Sequence, residues 1–187
     1  CGVVGASQQA PKPELATEPK ARLWQVEDVW QLDDVGPPVH VSVNAGGSIF
    51  GFACSNRDIR VFMGVPQAEA ASLPAISGAL SLFVSKDTSA GGSYVATTTS
   101  RSGGMFWVEN MPGMPFDAAD WFKLVSEGKD GFITAGLATY QGGRFSHEIE
   151  HKFWIGNAWE MLGLFKQTCG VELEGDQPTG HETSKLS

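Results

Sequence analysis

The sequence predicts an α+β domain built mainly from an antiparallel β-sheet of meander or sandwich type, with two short helices and one disulfide. Three observations carry this. Short apolar or alternating segments recur along the chain with Gly, Asn, Asp and Pro between them, the pattern of strands joined by tight turns. Two later segments have apolar residues at helical spacing between a capping residue and a glycine. Two cysteines, Cys54 and Cys169, lie near the two ends of the patterned region. At 187 residues the chain suits one core. Residues 1–20 read as a flexible tether, 21–170 as the single globular domain and 171–187 as a polar, acidic tail.

The first patterned segment, "LWQVEDVWQL", reads as a strand, with a helix as the alternative because Leu23, Val26 and Trp30 also suit one helical face. "VHVSVNA", "SIFGFACS" and "IRVFMGV" follow as strands of an antiparallel meander. Gly36-Pro37-Pro38, Asn44 to Gly47 and Ser55 to Asp58 supply the turns. "QAEAASLPAIS" reads as a surface loop with a helical turn ended by Pro74. "ALSLFVSKD", "SYVATTTS" and "GMFWVEN" are rich in β-branched and aromatic residues and read as three strands in hairpins. Asp117 is placed to cap a helix over "AADWFKLVSEG", stopped at Gly128. "GFITAGLATYQ" is a strand, Gly142-Gly143 a turn and "RFSHEIEHKFWI" the next strand. Asn157 is placed to cap "AWEMLGLFKQ", which Gly170 ends.

The formal net charge of −8 excludes nucleic acids and anionic lipid surfaces as electrostatic partners, since these need clustered Lys and Arg. No apolar run approaches the roughly 18 to 20 residues of a membrane-spanning helix. The leading "CGVVGAS" and the Pro-rich "QQAPKPELATEPKA" resemble a mature bacterial lipoprotein, in which Cys1 carries the lipid and the following residues form the tether. Gly2 resembles the pattern of lipoproteins sent to the outer membrane. The expectation is a periplasmic protein anchored through Cys1, at the outer membrane rather than the inner. In an exported protein the even pair Cys54 and Cys169 is most simply a disulfide, and two buried free thiols are the alternative.

One stretch bears a catalytic signature. His147-Glu148-x-x-His151 has the HExxH spacing of helical zinc peptidases. That chemistry needs a helix, because the 3.6-residue period brings positions i and i+4 within reach of one zinc, with Glu148 as base on the bound water. In a strand the same positions lie roughly 13 Å apart. Phe145, His147, Ile149, His151 and Phe153 share one parity, and Ser146, Glu148, Glu150 and Lys152 the other. This alternation predicts a half-buried strand. Gly142-Gly143 pairs it with the preceding strand, no capping residue stands near Arg144, and Glu150 would press a charge against the core of a helix. A zinc-dependent hydrolase using His147, Glu148 and His151, with Glu160 as a poorly spaced third ligand, is the alternative.

Other constellations are weaker. There is no nucleophile elbow, Walker loop or dinucleotide fingerprint. Gly46-Gly47-Ser48 and Gly91-Gly92-Ser93 read as hairpin turns, and Glu27-Asp28 and Asp33-Asp34 as a solvated acidic edge rather than a calcium site. Trp107, Trp121, Trp154 and Trp159 are candidates for a ligand groove, with core packing as the default. No cofactor is expected.

The ending "HKFWIGNAWEMLGLFKQTCG" and the stretch "SIFGFACSNRDIRVFMGV" around Cys54 resemble small exported proteobacterial domains, in which a last strand leads to a helix ending in a cysteine. With "LSLFVSKD" and "GMFWVEN" they are similar to periplasmic accessory proteins associated with type VI secretion, and more loosely to invasion-associated locus B-type proteins. The resemblance covers about residues 23–170. It implies a β-rich binding or scaffolding domain, pairing of Cys54 with Cys169, protein partners in an envelope complex and no catalytic residues to transfer. The Pro-rich lead and the acidic tail depart from that pattern.

Overall fold

In the computed structural model the described residues are 27–87 and 92–171. The tether, Cys1, the start of the first patterned segment, part of the turn before Ser93 and the tail beyond Val171 lie outside them. Alternation and turn chemistry produce nine strands: β1 (Gln31–Asp33), β2 (Val39–Ala45), β3 (Ser48–Ser55), β4 (Asp58–Pro66), β5 (Ser81–Ser85), β6 (Ser93–Ser102), β7 (Met105–Asn110), β8 (Phe132–Gln141) and β9 (Arg144–Trp154). The two helices are α1 (Ala118–Ser126) and α2 (Ala158–Cys169). Among the described residues no helix is long and apolar enough to cross a membrane.

All strand pairs are antiparallel, in the order β1-β2-β3-β4-β7-β6-β5-β8-β9. The order departs from a simple meander in the middle. The loop after β4 carries the chain past two strands to β5, the hairpins β5-β6-β7 run back, and α1 crosses over to β8. Strand β6 serves both halves of the sheet: Ser93–Ala96 pair with β5 and Thr97–Ser102 with β7. The β8-β9 turn shows why the sequence folds locally as it does. Gly142 and Gly143 have φ of 60° and 79°, the paired left-handed geometry of a two-residue hairpin, which a side chain would oppose.

The sheet curls around one core. Val41, Phe50, Phe52, Val61, Met63, Leu82, Val108, Leu137 and Phe153 point inward, and both helices cover this inner face with Trp121, Phe122, Val125, Leu162 and Phe165. Phe50 approaches Phe153 across the interior, with ring centroids 5.9 Å apart. Phe122 of α1 stands edge-on to Phe52 at 4.6 Å and contacts Phe165 of α2 at 6.1 Å. Cys54 at the end of β3 is bonded to Cys169 at the end of α2, closing a separation of 115 residues.

Two terminal details refine the sequence expectation. Of the first patterned segment, the described residues from Glu27 on form a bridge, a turn and the short strand β1, as the strand reading has it, and not the helical alternative. Trp30 fixes this course. It is buried, its indole N–H donates to the Trp154 carbonyl at 2.7 Å, and its backbone N–H donates to Asn157 Oδ1 at 2.8 Å. Asn157 Nδ2 returns a bond to the Trp30 carbonyl at 2.8 Å. Asn157 therefore does not cap α2 with its side chain; it ties the start of the domain to its end. Asp117 does cap α1, accepting from the Asp120 N–H, and Gly170 closes α2 in the left-handed conformation.

Candidate functional site

The HEIEH stretch lies wholly within β9. Its alternation is not strict, because the register slips beside it. Leu137 pairs with Ile149 but Ala138 pairs with His147, so Glu148 is an extra residue in a β-bulge. A one-residue shift reverses which face the preceding side chains occupy. Ile149, His151 and Phe153 keep to the inner parity, whereas His147 turns to the outer face.

The partners confirm this division. His151 Nε2 lies 2.6 Å from Glu69 Oε1, on the loop after β4. His147 stacks on Phe83 with centroids 4.0 Å apart and planes 12° from parallel. Its Nε2 lies 2.7 Å from the Tyr94 hydroxyl and its Nδ1 2.5 Å from Glu150 Oε1. Glu148 accepts from the Thr139 hydroxyl at 2.8 Å instead of facing either imidazole. Glu160 stands in the first turn of α2. The two imidazoles do not converge on a common point, and among the described residues no three His, Cys, Asp or Glu side chains are grouped as a metal site.

Glycine makes the outer cluster possible. Phe83 lies across Gly136, where an added Cβ would stand 2.8 Å from its ring and collide with the Ile149 carbonyl. Phe83 is thereby buried, though it faces away from the main core. Tyr94 also stacks on Phe145, with centroids 3.8 Å apart. Burial, and secondarily the charge of Glu150, raises the Tyr94 pKa above the ordinary tyrosine value. A raised pKa opposes formation of a phenolate nucleophile, so the Tyr94–His147–Glu150 chain reads as a clamp on the bulge.

A second feature lies on the outer face of β2-β3-β4-β7-β6. There a groove of about 870 Å³ crosses the sheet. The register explains its shape. One row runs Ser42–Gly51–Phe62–Glu109–Thr98 and the next Ile49–Gly64–Trp107–Ser100. Ala53 and Ser55 on β3 and hydroxyl residues on β6 keep the floor low between the larger side chains of β4 and β7. Trp107 leans over Gly64, where a Cβ would stand 2.5 Å from the six-membered ring. Phe62 sits 6.2 Å from Trp107, and His40 stands edge-on to Phe62 at 5.7 Å.

Charge is concentrated at one end. Arg60 Nε lies 3.2 Å from Asp58 Oδ2, and its Nη1 3.3 Å from Glu109 Oε1. These pairs are partly exposed and add little stability. They hold the planar guanidinium in a fixed orientation, with the remaining donors of its fork still available.

Of the four tryptophans singled out in the sequence, only Trp107 lines this groove. Trp121 belongs to the core. Trp154 covers Gly131 and Gly156, and Trp159 is 71% exposed on α2. Arg60, Glu109, Phe62 and His40 escaped the sequence reading because they come together only through strand register. The signal that could have found them is the outward parity of β4 and β7, where Arg60, Phe62, Trp107 and Glu109 interrupt an expected solvent face with aromatics.

Fold and surface define a class: an α+β domain cross-linked between its first half and its last helix, with a recessed aromatic and polar outer face. Compared with known proteins, the chain matches no family model and no curated protein.

Proposed function

We propose that the protein is a non-enzymatic, lipid-anchored component of the bacterial envelope, acting as a binding or scaffolding subunit of a membrane-associated complex through the groove over β2-β3-β4-β7-β6. The observation that carries this reading is the groove itself: aromatic, hydroxyl and charged side chains converge in it from five paired strands. Recognition residues on strands are held more firmly than residues on loops.

The Cys54–Cys169 bond supports an oxidising compartment such as the periplasm. The lipoprotein-like lead supports attachment through Cys1, and Gly2 supports the outer membrane. The likeness to periplasmic accessory proteins of secretion systems supports a subunit role. The zinc hydrolase alternative needs both imidazoles on one metal, and the opposite orientations of His147 and His151 give it no support.

The test is copurification from native membranes after gentle solubilisation, comparing the wild-type protein with Trp107→Ala. A partner retained by the first and lost by the second is expected, together with a lipid-modified Cys1 by mass spectrometry. An unmodified Cys1 in the envelope fraction contradicts the anchor, and equal recovery of partners contradicts the groove.

A further inference from the structure

We propose that the groove binds the sugar rings of a neutral or N-acetylated glycan, a reading that rests on the groove being the recognition face. A pyranose presents an apolar C–H face and a rim of hydroxyls that each donate and accept. Its complement is a flat aromatic surface bordered by groups of both kinds. Trp107 is such a surface: it is half-buried, its six-membered ring lies over Gly64, and it lines the groove.

The border has the required mixture. Across the strand pairing from Trp107 stands Ser100, and across from Glu109 stands Thr98, so hydroxyls flank the ring on the β6 side. Arg60 and Glu109 stand further along β4 and β7, at the charged end of the groove, a donor fork and a carboxylate joined at 3.3 Å. The three strands β4, β7 and β6 span two inter-strand spacings, about 10 Å, the length of a disaccharide.

Charge narrows the ligand further. Arg60 is already matched by Asp58 and Glu109, leaving the groove with an excess of negative charge. Phosphorylated sugars are disfavoured, and hydrocarbon chains would leave the hydroxyl and charged rim without hydrogen bonds.

The experiment is calorimetric titration of the full-length, disulfide-bonded protein with N-acetylglucosamine oligomers, with soluble peptidoglycan glycan fragments, and with neutral polysaccharide released from lipopolysaccharide. Saturable binding of the oligomers is expected, weakened about tenfold in Trp107→Ala, the order of magnitude of one aromatic contact, and partly restored in Trp107→Phe. Ser100→Trp, on an exposed position, fills the groove without removing a buried group and is expected to abolish binding even where Trp107→Ala fails to fold. Tighter binding of peptidoglycan fragments assigns the ligand to the cell wall, and tighter binding of the released polysaccharide to the outer leaflet. Absence of binding by all three saccharides, or binding unchanged in Trp107→Ala and Ser100→Trp, overturns the proposal. Loss of copurifying partners in the same variants without any saccharide binding overturns the glycan and leaves the recognition face standing; unchanged partners and no saccharide binding remove both.

Discussion

His147 and His151 point to opposite faces of one strand, the first stacked on Phe83 outside the sheet and the second bound to Glu69 on the inner parity. The extra residue Glu148 causes the reversal. The two side chains share no partner, so their contributions to stability should be independent. In a double-mutant cycle, His147→Ala and His151→Ala are expected to add within about 0.5 kcal/mol. Added zinc should not couple them. Zinc-dependent coupling of several kcal/mol would restore the chelate.

Gly136 is the position on which the outer cluster depends. A methyl group there meets both the Phe83 ring and the Ile149 carbonyl, neither of which can move without shifting a strand. Gly136→Ala should destabilise the domain by about 3 kcal/mol, the upper end of overpacking effects, in equilibrium denaturant unfolding. A neutral effect would mean that the close approach of β8 and β9 is not as described.

Tyr94 predicts alkaline sensitivity. Its folded-state pKa is raised, by burial first and by Glu150 second. Its contribution to stability is therefore fully present below the ordinary tyrosine pKa and is lost as pH rises through the folded value. Ultraviolet titration should show one tyrosine ionising above the ordinary tyrosine pKa, and Tyr94→Phe should remove both that step and its part of the alkaline loss. An unchanged profile in the variant would contradict this assignment.

The Cys54–Cys169 bond closes a loop of more than a hundred residues. In the chain-entropy account its removal by Cys54→Ser with Cys169→Ser should cost about 4 to 5 kcal/mol, read from denaturant midpoints of the variant against the oxidised protein. The Trp30–Asn157 latch is smaller. Asn157→Ala leaves the partly buried Trp30 N–H and carbonyl unmatched and should cost about 1 to 3 kcal/mol. Faster hydrogen exchange at Trp30 than in β3 would locate the loss at the latch.

These cases show what the sequence made legible. Strands β2 and β3 and the turn at Gly142-Gly143 follow from local alternation and turn chemistry, and so were readable directly. The outward turn of His147 was not, because a bulge leaves no mark on a single sequence: Phe145 and His147 have the same spacing from Ile149 whether or not Glu148 is paired. Asn157 was read as a cap because its local setting fits one; its partner Trp30 lies 127 residues away. The groove is register made visible, and of its aromatic members only Trp107 stood out beforehand.

The claim that the groove is the recognition face is tested most directly by site-specific photocrosslinking in intact cells. A photoreactive residue at Ser100, beside Trp107, is compared with one at Lys129, which lies outside the groove. A discrete adduct from Ser100 alone, lost in Trp107→Ala, is expected. Equal adducts from both positions, or an Ser100 adduct indifferent to Trp107→Ala, would contradict it.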